Sequence, residues 1–235
     1  MKHLLSGVAI LIAAAAVASP ATAQAVQDIP GDAGRRGIRA GDVLLRARAI
    51  LVAPNERSGG IRPTFPGELL SVDNSIMPEL DLTYMATDHI GFELIASTTR
   101  HSASGRSGTT GSIGKLASTW VLPPTLTAQY HLNSRGAVRP YVGAGLNYTI
   151  FWNEDASKGL EQAVGRTNVK MTDSFGWAAQ AGVDVDITPR VFLNFDLKYI
   201  DIDTLARLRT TTIGTQSVKV HLDPMVLGIG LGVRL

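Results

Sequence analysis

From Met225 to Leu235 the chain alternates without a break. Met225, Leu227, Ile229, Leu231, Val233 and Leu235 fall on one face; Val226, Gly228, Gly230, Gly232 and Arg234 fall on the other. Period-2 alternation with one wholly apolar face predicts a strand between two media. The pattern recurs over 40–52, 76–87, 90–100, 119–131, 138–151, 172–187 and 191–200, and the final strand is predicted to start near Val218. In the first of these, Leu45, Ala47 and Ala49 alternate with Arg46 and Arg48; in the seventh, Leu193, Phe195, Leu197 and Tyr199 alternate with Asn194, Asp196 and Lys198. An even number of strands, eight, with the apolar face turned outward predicts an all-β fold: an eight-stranded antiparallel transmembrane barrel of the outer-membrane type.

The connections support the same architecture. Long segments at 53–75, 101–118, 152–171 and 201–217 alternate with short ones at 88–89, 132–137 and 188–190. Outer-membrane barrels have long extracellular loops and short periplasmic turns. Within the third long segment, Asp155 is predicted to cap a helix that ends at Gly165, with Leu160 and Val164 on one face. Tyr130 and Tyr141 flank a short turn, and Trp120, Trp152, Phe175 and Trp177 lie near long-segment ends, as interfacial girdles require.

Composition narrows the compartment. Lys2, an apolar run over 4–18 and the small-x-small site Ala21-Thr22-Ala23 predict a cleaved export signal over residues 1–23. Residues 24–39 carry no periodicity and are expected to form a periplasmic tail or a plug entering the lumen, with the barrel over 40–235. The absence of cysteine removes disulfides and thiolate metal sites. Beyond Lys2, 21 Lys and Arg balance 20 Asp and Glu, so no strong field attracts nucleic acid.

The run Leu122-Pro123-Pro124-Thr125-Leu126-Thr127-Ala128-Gln129-Tyr130-His131, then Arg139 to Thr149, resembles the outer membrane protein W family. So do Leu222-Asp223-Pro224, the terminal strand from Gly228 to Leu235, and Gly41-Asp42 with Arg46 and Arg48. The resemblance implies a barrel in the cell outer membrane with a hydrophobic lumen open to the outside. It also implies passage of small hydrophobic molecules, including by lateral exit into the membrane, with no cofactor. Implied partners are outer-membrane lipid, the outer-membrane insertion machinery and, for some members, colicin-type ligands at the loops. Family members commonly end in an aromatic residue that the insertion machinery recognises, whereas this chain ends in Leu235.

Eight strands leave an interior wide enough for side chains or one small ligand. The inward set places Arg46, Arg48, Lys198 and Arg234 against Glu79, Asp81, Glu93, Asp184, Asp186 and Asp196. Charges in so narrow a space persist only if paired, which favours a polar network that seals the barrel over a charge-selective path. Inward glycines at 143, 145, 176, 182, 228, 230 and 232 either leave room for a ligand or permit tight curvature. Pro123 and Pro124 cannot donate ladder hydrogen bonds and predict an irregularity near the outer rim: a wall opening on the family resemblance, or otherwise an edge or bulge.

The expected ligand path comprises Ile95, Leu122, Pro123, Pro124, Leu126 and Phe151, although alternation turns Leu126 toward lipid. His89, His101, His131 and His221 offer no nucleophile–base spacing, and Glu56, Glu68 and Asp73 read as solvated charges. No P-loop, dinucleotide fingerprint or zinc-type motif is present. On the family resemblance, a passive conduit or binding channel for small hydrophobic molecules is expected rather than an enzyme. A receptor barrel acting through its loops is the alternative, and a lipid-modifying enzyme dependent on His131 comes behind it.

Overall fold

Arg46 and Arg48 are buried while their neighbours Leu45, Ala47 and Ala49 are exposed, the reverse of a strand in a water-soluble protein. The computed structural model describes residues 37–235. The export signal expected over 1–23 and most of the tail expected over 24–39 lie outside the described residues.

The elements in chain order are β1 (Val43–Ala53), β2 (Arg57–Ser58), β3 (Leu70–Val72), β4 (Ser75–Met85), β5 (Ile90–Ser97), β6 (Thr99–Gly105), α1 (Gly108–Ile113), β7 (Lys115–Leu122), β8 (Thr125–His131), β9 (Val138–Ala156), α2 (Lys158–Val164), β10 (Thr167–Met171), β11 (Ser174–Asp186), β12 (Val191–Ile200), β13 (Asp203–Thr210), β14 (Gly214–His221) and β15 (Met225–Arg234). Eight of them close an antiparallel barrel in the order β1-β4-β5-β8-β9-β11-β12-β15, with β15 returning to β1 from Leu44↔Arg234 to Ala53↔Met225. Closure leaves no sheet edge in the apolar phase, where an unpaired backbone amide would be costly.

The outer face of these strands is a belt of exposed apolar side chains: Leu80 is 58% exposed, Leu146 57%, Leu227 57% and Phe175 70%. A contiguous patch of this extent is what a soluble monomer avoids and what lipid requires. Tyr84, Phe92 and Tyr130 mark the short-turn end, and Tyr148, Phe175 and Trp177 the long-connection end. Tyr141 does not belong to the girdle. It takes the inward phase of β9, is 1% exposed and bonds inside the barrel, so phase along the strand outweighs its nearness to a turn.

Inside, β1 shows three levels in succession. Leu44 packs with Ile38, Met85 and Phe192 at the short-turn end. Arg46 and Arg48 follow at mid-height, and then Ile50 and Val52 join Val121, Phe151, Ala178, Ile200, Ile202 and Val226 in an apolar cluster. Ile38 places the end of the tail against the barrel's lower rim, where its amide donates to the Ser134 carbonyl at 2.7 Å.

The long connections are not irregular loops. β9 runs past the barrel to Ala156 and pairs there with β7, which carries β6 and β3 beyond it; β10, β13, β14 and β2 form a separate four-stranded sheet. A second apolar cluster, including Ile61, Leu116, Leu160, Ala206, Val218 and Val220, fills this extension. The helix expected from Asp155 begins three residues later at Lys158. Its cap is Ser157, whose hydroxyl accepts from the Leu160 amide at 3.0 Å, and it ends before Gly165 with Leu160 and Val164 buried. Glu68 and Asp73 are not merely solvated charges. Glu68 caps α1 by accepting from the Thr109 and Thr110 amides at 2.9 and 2.7 Å, and Asp73 accepts from the Ser102 amide at 2.6 Å. Hydrogen bonds from Thr110, with a smaller contribution from Thr109, hold the Glu68 carboxyl below the usual carboxylate range.

Candidate functional site: an apolar cavity above a charged floor

The floor is assembled by side chains from seven of the eight barrel strands. From β1, Arg46 grips Asp184 of β11 through two nitrogens, at 2.9 and 3.3 Å, and reaches Glu93 of β5 at 3.2 Å. Arg48 contacts Glu79 at 2.9 Å, Asp81 at 2.6 Å, Glu93 at 3.4 Å and Asp196 at 3.5 Å. Lys198 of β12 bridges Glu79 and Asp196, both at 2.8 Å. Gln129 and Gln180 donate to Glu93, and Asn194 donates to Asp184. The Tyr141 hydroxyl donates to Asp196 at 2.7 Å, while Arg46 lies 5.5 Å from the centroids of both Tyr141 and Phe192. Removing such charges from water is costly, and only dense pairing of this kind offsets it.

The eighth strand, β15, contributes space. Gly228 faces the Arg48 side chain and Gly232 lies under the Phe192 ring, where an added Cβ would come within 2.2 Å. On β11, a Cβ at Gly182 would sit 2.4 Å from the Tyr141 hydroxyl oxygen and 2.6 Å from the Phe195 carbonyl oxygen. The room beside these two glycines is thus filled by Tyr141 and Phe192 and is not ligand space. Gly182→Val is expected to lower the urea-unfolding midpoint of the refolded barrel by the equivalent of about 1–3 kcal/mol, because backbone as well as side chain blocks the added atoms.

Above the floor the inward residues turn apolar, and a cavity opens within the upper barrel and the extension. Ile50, Ile95, Val121, Phe151 and Val226 line it from the barrel; Val169, Ala206, Val218 and Val220 line it from the outer sheet. The cavity volume is about 110 Å³. At its edge His101 uses Nδ1 on the Asp73 carbonyl and Nε2 on the Thr99 hydroxyl, at 2.9 and 3.1 Å, and burial holds its imidazole below the ordinary histidine value.

One side of the cavity meets an interrupted wall. The β5–β8 ladder ends at Ile95↔Thr125 and pairing resumes between β6 and β7 at Thr99↔Val121. Residues 96–98 and 122–124 between them do not pair with each other, because Pro123 and Pro124 lack amide donors. On the opposite side the segment is held fast. The Pro124 carbonyl accepts from the Tyr148 amide at 3.1 Å and from Asn147 Nδ2 at 3.3 Å, and Asn147 also donates to the Thr125 hydroxyl at 2.8 Å.

Of the residues expected on the ligand path, Ile95, Pro123 and Phe151 line the cavity. Leu122, Pro124 and Leu126 do not. The break preserves the strand's phase, so even-numbered residues point outward, and Leu126 is 56% exposed in register with Leu94 and Leu146. Val121, Ile200, Val226 and the outer-sheet residues were not expected on the path.

His131 is fully buried. Its Nε2 lies 3.3 Å from Gln129 Oε1, its ring sits 5.2 Å from that of Tyr141, and Nδ1 has no hydrogen-bond partner among the described residues. Neither a hydroxyl nor a carboxylate is hydrogen-bonded to it among those residues. Near the rim, Asp201, Asp203 and Asp223 lie close together, with Arg57 paired to Asp223 at 3.1 Å and His221 bonded to Asp203.

The profile of the OmpW family matches residues 39–235. The chain belongs to the OmpW family. Outer membrane protein W of Salmonella typhi is 38% identical over 197 residues, covering 83% of this chain and 89% of that protein. An uncharacterized outer-membrane protein, y4mB of Sinorhizobium fredii, is 34% identical over 94% of this chain and 89% of its own length. Among solved structures, the outer membrane protein OprG of Pseudomonas aeruginosa superposes with a TM-score of 0.80 at 31% identity, covering 86% of this chain and 99% of that one. As an OmpW-family barrel the protein resides in the outer membrane, and the general rule for such barrels puts its long connections, and hence the cavity, on the extracellular side.

Proposed function

We propose that this OmpW-family barrel is a passive conduit for small hydrophobic molecules, which occupy the upper cavity and leave through the wall beside Pro123. The observation that carries the reading is the sequence of environments a solute would meet. The surface the cavity presents is predominantly apolar, whereas the way down is filled by Arg46, Arg48, Lys198 and their carboxylates. An apolar solute going straight through would have to separate buried ion pairs, each step leaving charges unpaired in a dry space. Moving sideways between 96–98 and 122–124, which do not pair with each other, takes it from one apolar phase to another, with little change in transfer free energy.

Uptake of a small hydrophobic tracer by cells with and without the protein tests this, alongside a Pro123→Val, Pro124→Val variant that restores two amide donors to the wall. Faster uptake with the wild-type barrel, lost in the folded double variant, is the expected result. Uptake that never depends on the inserted protein would end the conduit reading in favour of a receptor acting through the extracellular extension.

A further inference from the structure

The outer sheet has two chemically different faces. Val169, Ala206, Val218 and Val220 look into the cavity, while Lys170, Arg207, Arg209 and Lys219 are exposed on the other side. Register brings these cations together. Lys170 sits opposite Arg207, Arg207 opposite Ser217, and Ser217 bridges to exposed Arg62; Arg209 lies two residues along, and Lys219 two residues beyond Ser217. With strands about 4.8 Å apart and alternate residues about 6.6 Å apart, the five cations occupy a patch about 15 Å across.

Their charge is poorly compensated. Lys170 has Glu154 at 3.2 Å, but Arg62, Arg207, Arg209 and Lys219 form no ion pair among the described residues, and nearby Asp203 is engaged with His221. Like charges on adjacent strands repel, and a surface needing only solubility intersperses both signs. Four guanidinium or ammonium groups without carboxylates suit a ligand that carries several phosphates, since Arg grips phosphate through two donors.

The height of the patch puts it within reach of the outer leaflet. Tyr199, its ring tilted against that of Trp177 with centroids 5.1 Å apart, belongs to the apolar belt, and Leu205, which pairs with Lys219, follows six residues later. The lower edge of the patch therefore stands at most about 20 Å above the belt along the strand. That span takes in both the phosphate plane of the leaflet and the sugar layer of an outer-leaflet glycolipid, which offers several phosphates where a phospholipid offers one. We propose that this face binds the phosphate groups of lipopolysaccharide in the surrounding outer leaflet, fixing the cavity-bearing extension against the membrane surface.

The test uses the full barrel immobilised in phosphatidylcholine nanodiscs, with binding of rough lipopolysaccharide that carries its phosphorylated inner core followed by interferometry. Arg207→Glu/Arg209→Glu/Lys219→Glu is expected to weaken binding by at least about tenfold, and added salt to weaken wild-type binding. Lys115→Glu/Lys158→Glu, which reverses two exposed cations off the sheet, is expected to leave affinity unchanged. If the reversed triple variant fails to fold, Arg207→Gln/Arg209→Gln/Lys219→Gln carries the same expectation. Dephosphorylated lipopolysaccharide should bind weakly, and millimolar inorganic phosphate should not displace the intact glycolipid. Equal affinity in the folded triple variant, equal binding of the dephosphorylated form, or full displacement by inorganic phosphate would each overturn the proposal.

Discussion

Arg48→Met is expected to cost the folded barrel about 3–5 kcal/mol, seen as a large drop in the urea-unfolding midpoint of protein refolded in lipid vesicles. Arg48 touches Glu79, Asp81, Glu93 and Asp196. Without it those carboxylates share Lys198 and Arg46, and Asp81 loses the one ion pair it makes among the described residues. The magnitude comes from leaving charges buried without partners rather than from the pairs' own net stabilisation. Arg48→Lys should lie between wild type and Arg48→Met, since it keeps the charge but cannot fan out to four acceptors from one planar fork. A change below about 1 kcal/mol in the Met variant, the range of an exposed ion pair, would show that water enters the floor and screens it.

The second large effect concerns transport. Ala206 and Val220 face the cavity from β13 and β14, away from both the ionic floor and the proline break. Replacing both with Trp places two large rings in space now open to a ligand. Tracer uptake should fall to that of cells lacking the protein, while the barrel continues to insert and to resist unfolding. The stability cost should stay within about 1–3 kcal/mol, because Ala206 and Val220 are packed in the extension's apolar cluster on one side and border the cavity on the other. Undiminished uptake by the folded variant would mean that solute does not use this cavity.

The barrel was legible because lipid outside and charge inside impose a strict period of two on every membrane strand. Arg46 and Arg48 between Leu45, Ala47 and Ala49 state the inward side of β1 directly. The cavity was less visible. At the outer strand ends both faces are apolar, as in Ile50 beside Leu51, Ile95 beside Leu94 and Val226 beside Leu227. Alternation fades there, and that fading is the signal for an apolar lumen. The outer sheet left a short trace too: Thr204, Ala206 and Leu208 alternate with Arg207 and Arg209, and Gln216, Val218 and Val220 alternate with Ser217 and Lys219. These runs are short, and without lipid contact their outward residues are polar, so they resemble loop sequence. Pro123 and Pro124 announce a break, but the phase carried across it decides which neighbours face the cavity: Leu126 is turned outward, and Leu122 and Pro124 are left off the lining.

A hydrophobic solute is expected to sit above the ionic floor and to reach the wall beside Pro123. Photolabelling tests it most directly: the folded barrel is irradiated with a small apolar tracer bearing a diazirine, and adducts are mapped by mass spectrometry. The expected result is saturable labelling at Ile95, Val121, Pro123 and Phe151, suppressed by excess unlabelled tracer. Labelling confined to outward residues such as Leu80, Leu126 and Leu146 and insensitive to competitor, or saturable labelling below the floor at Tyr141 and Phe192, would contradict it.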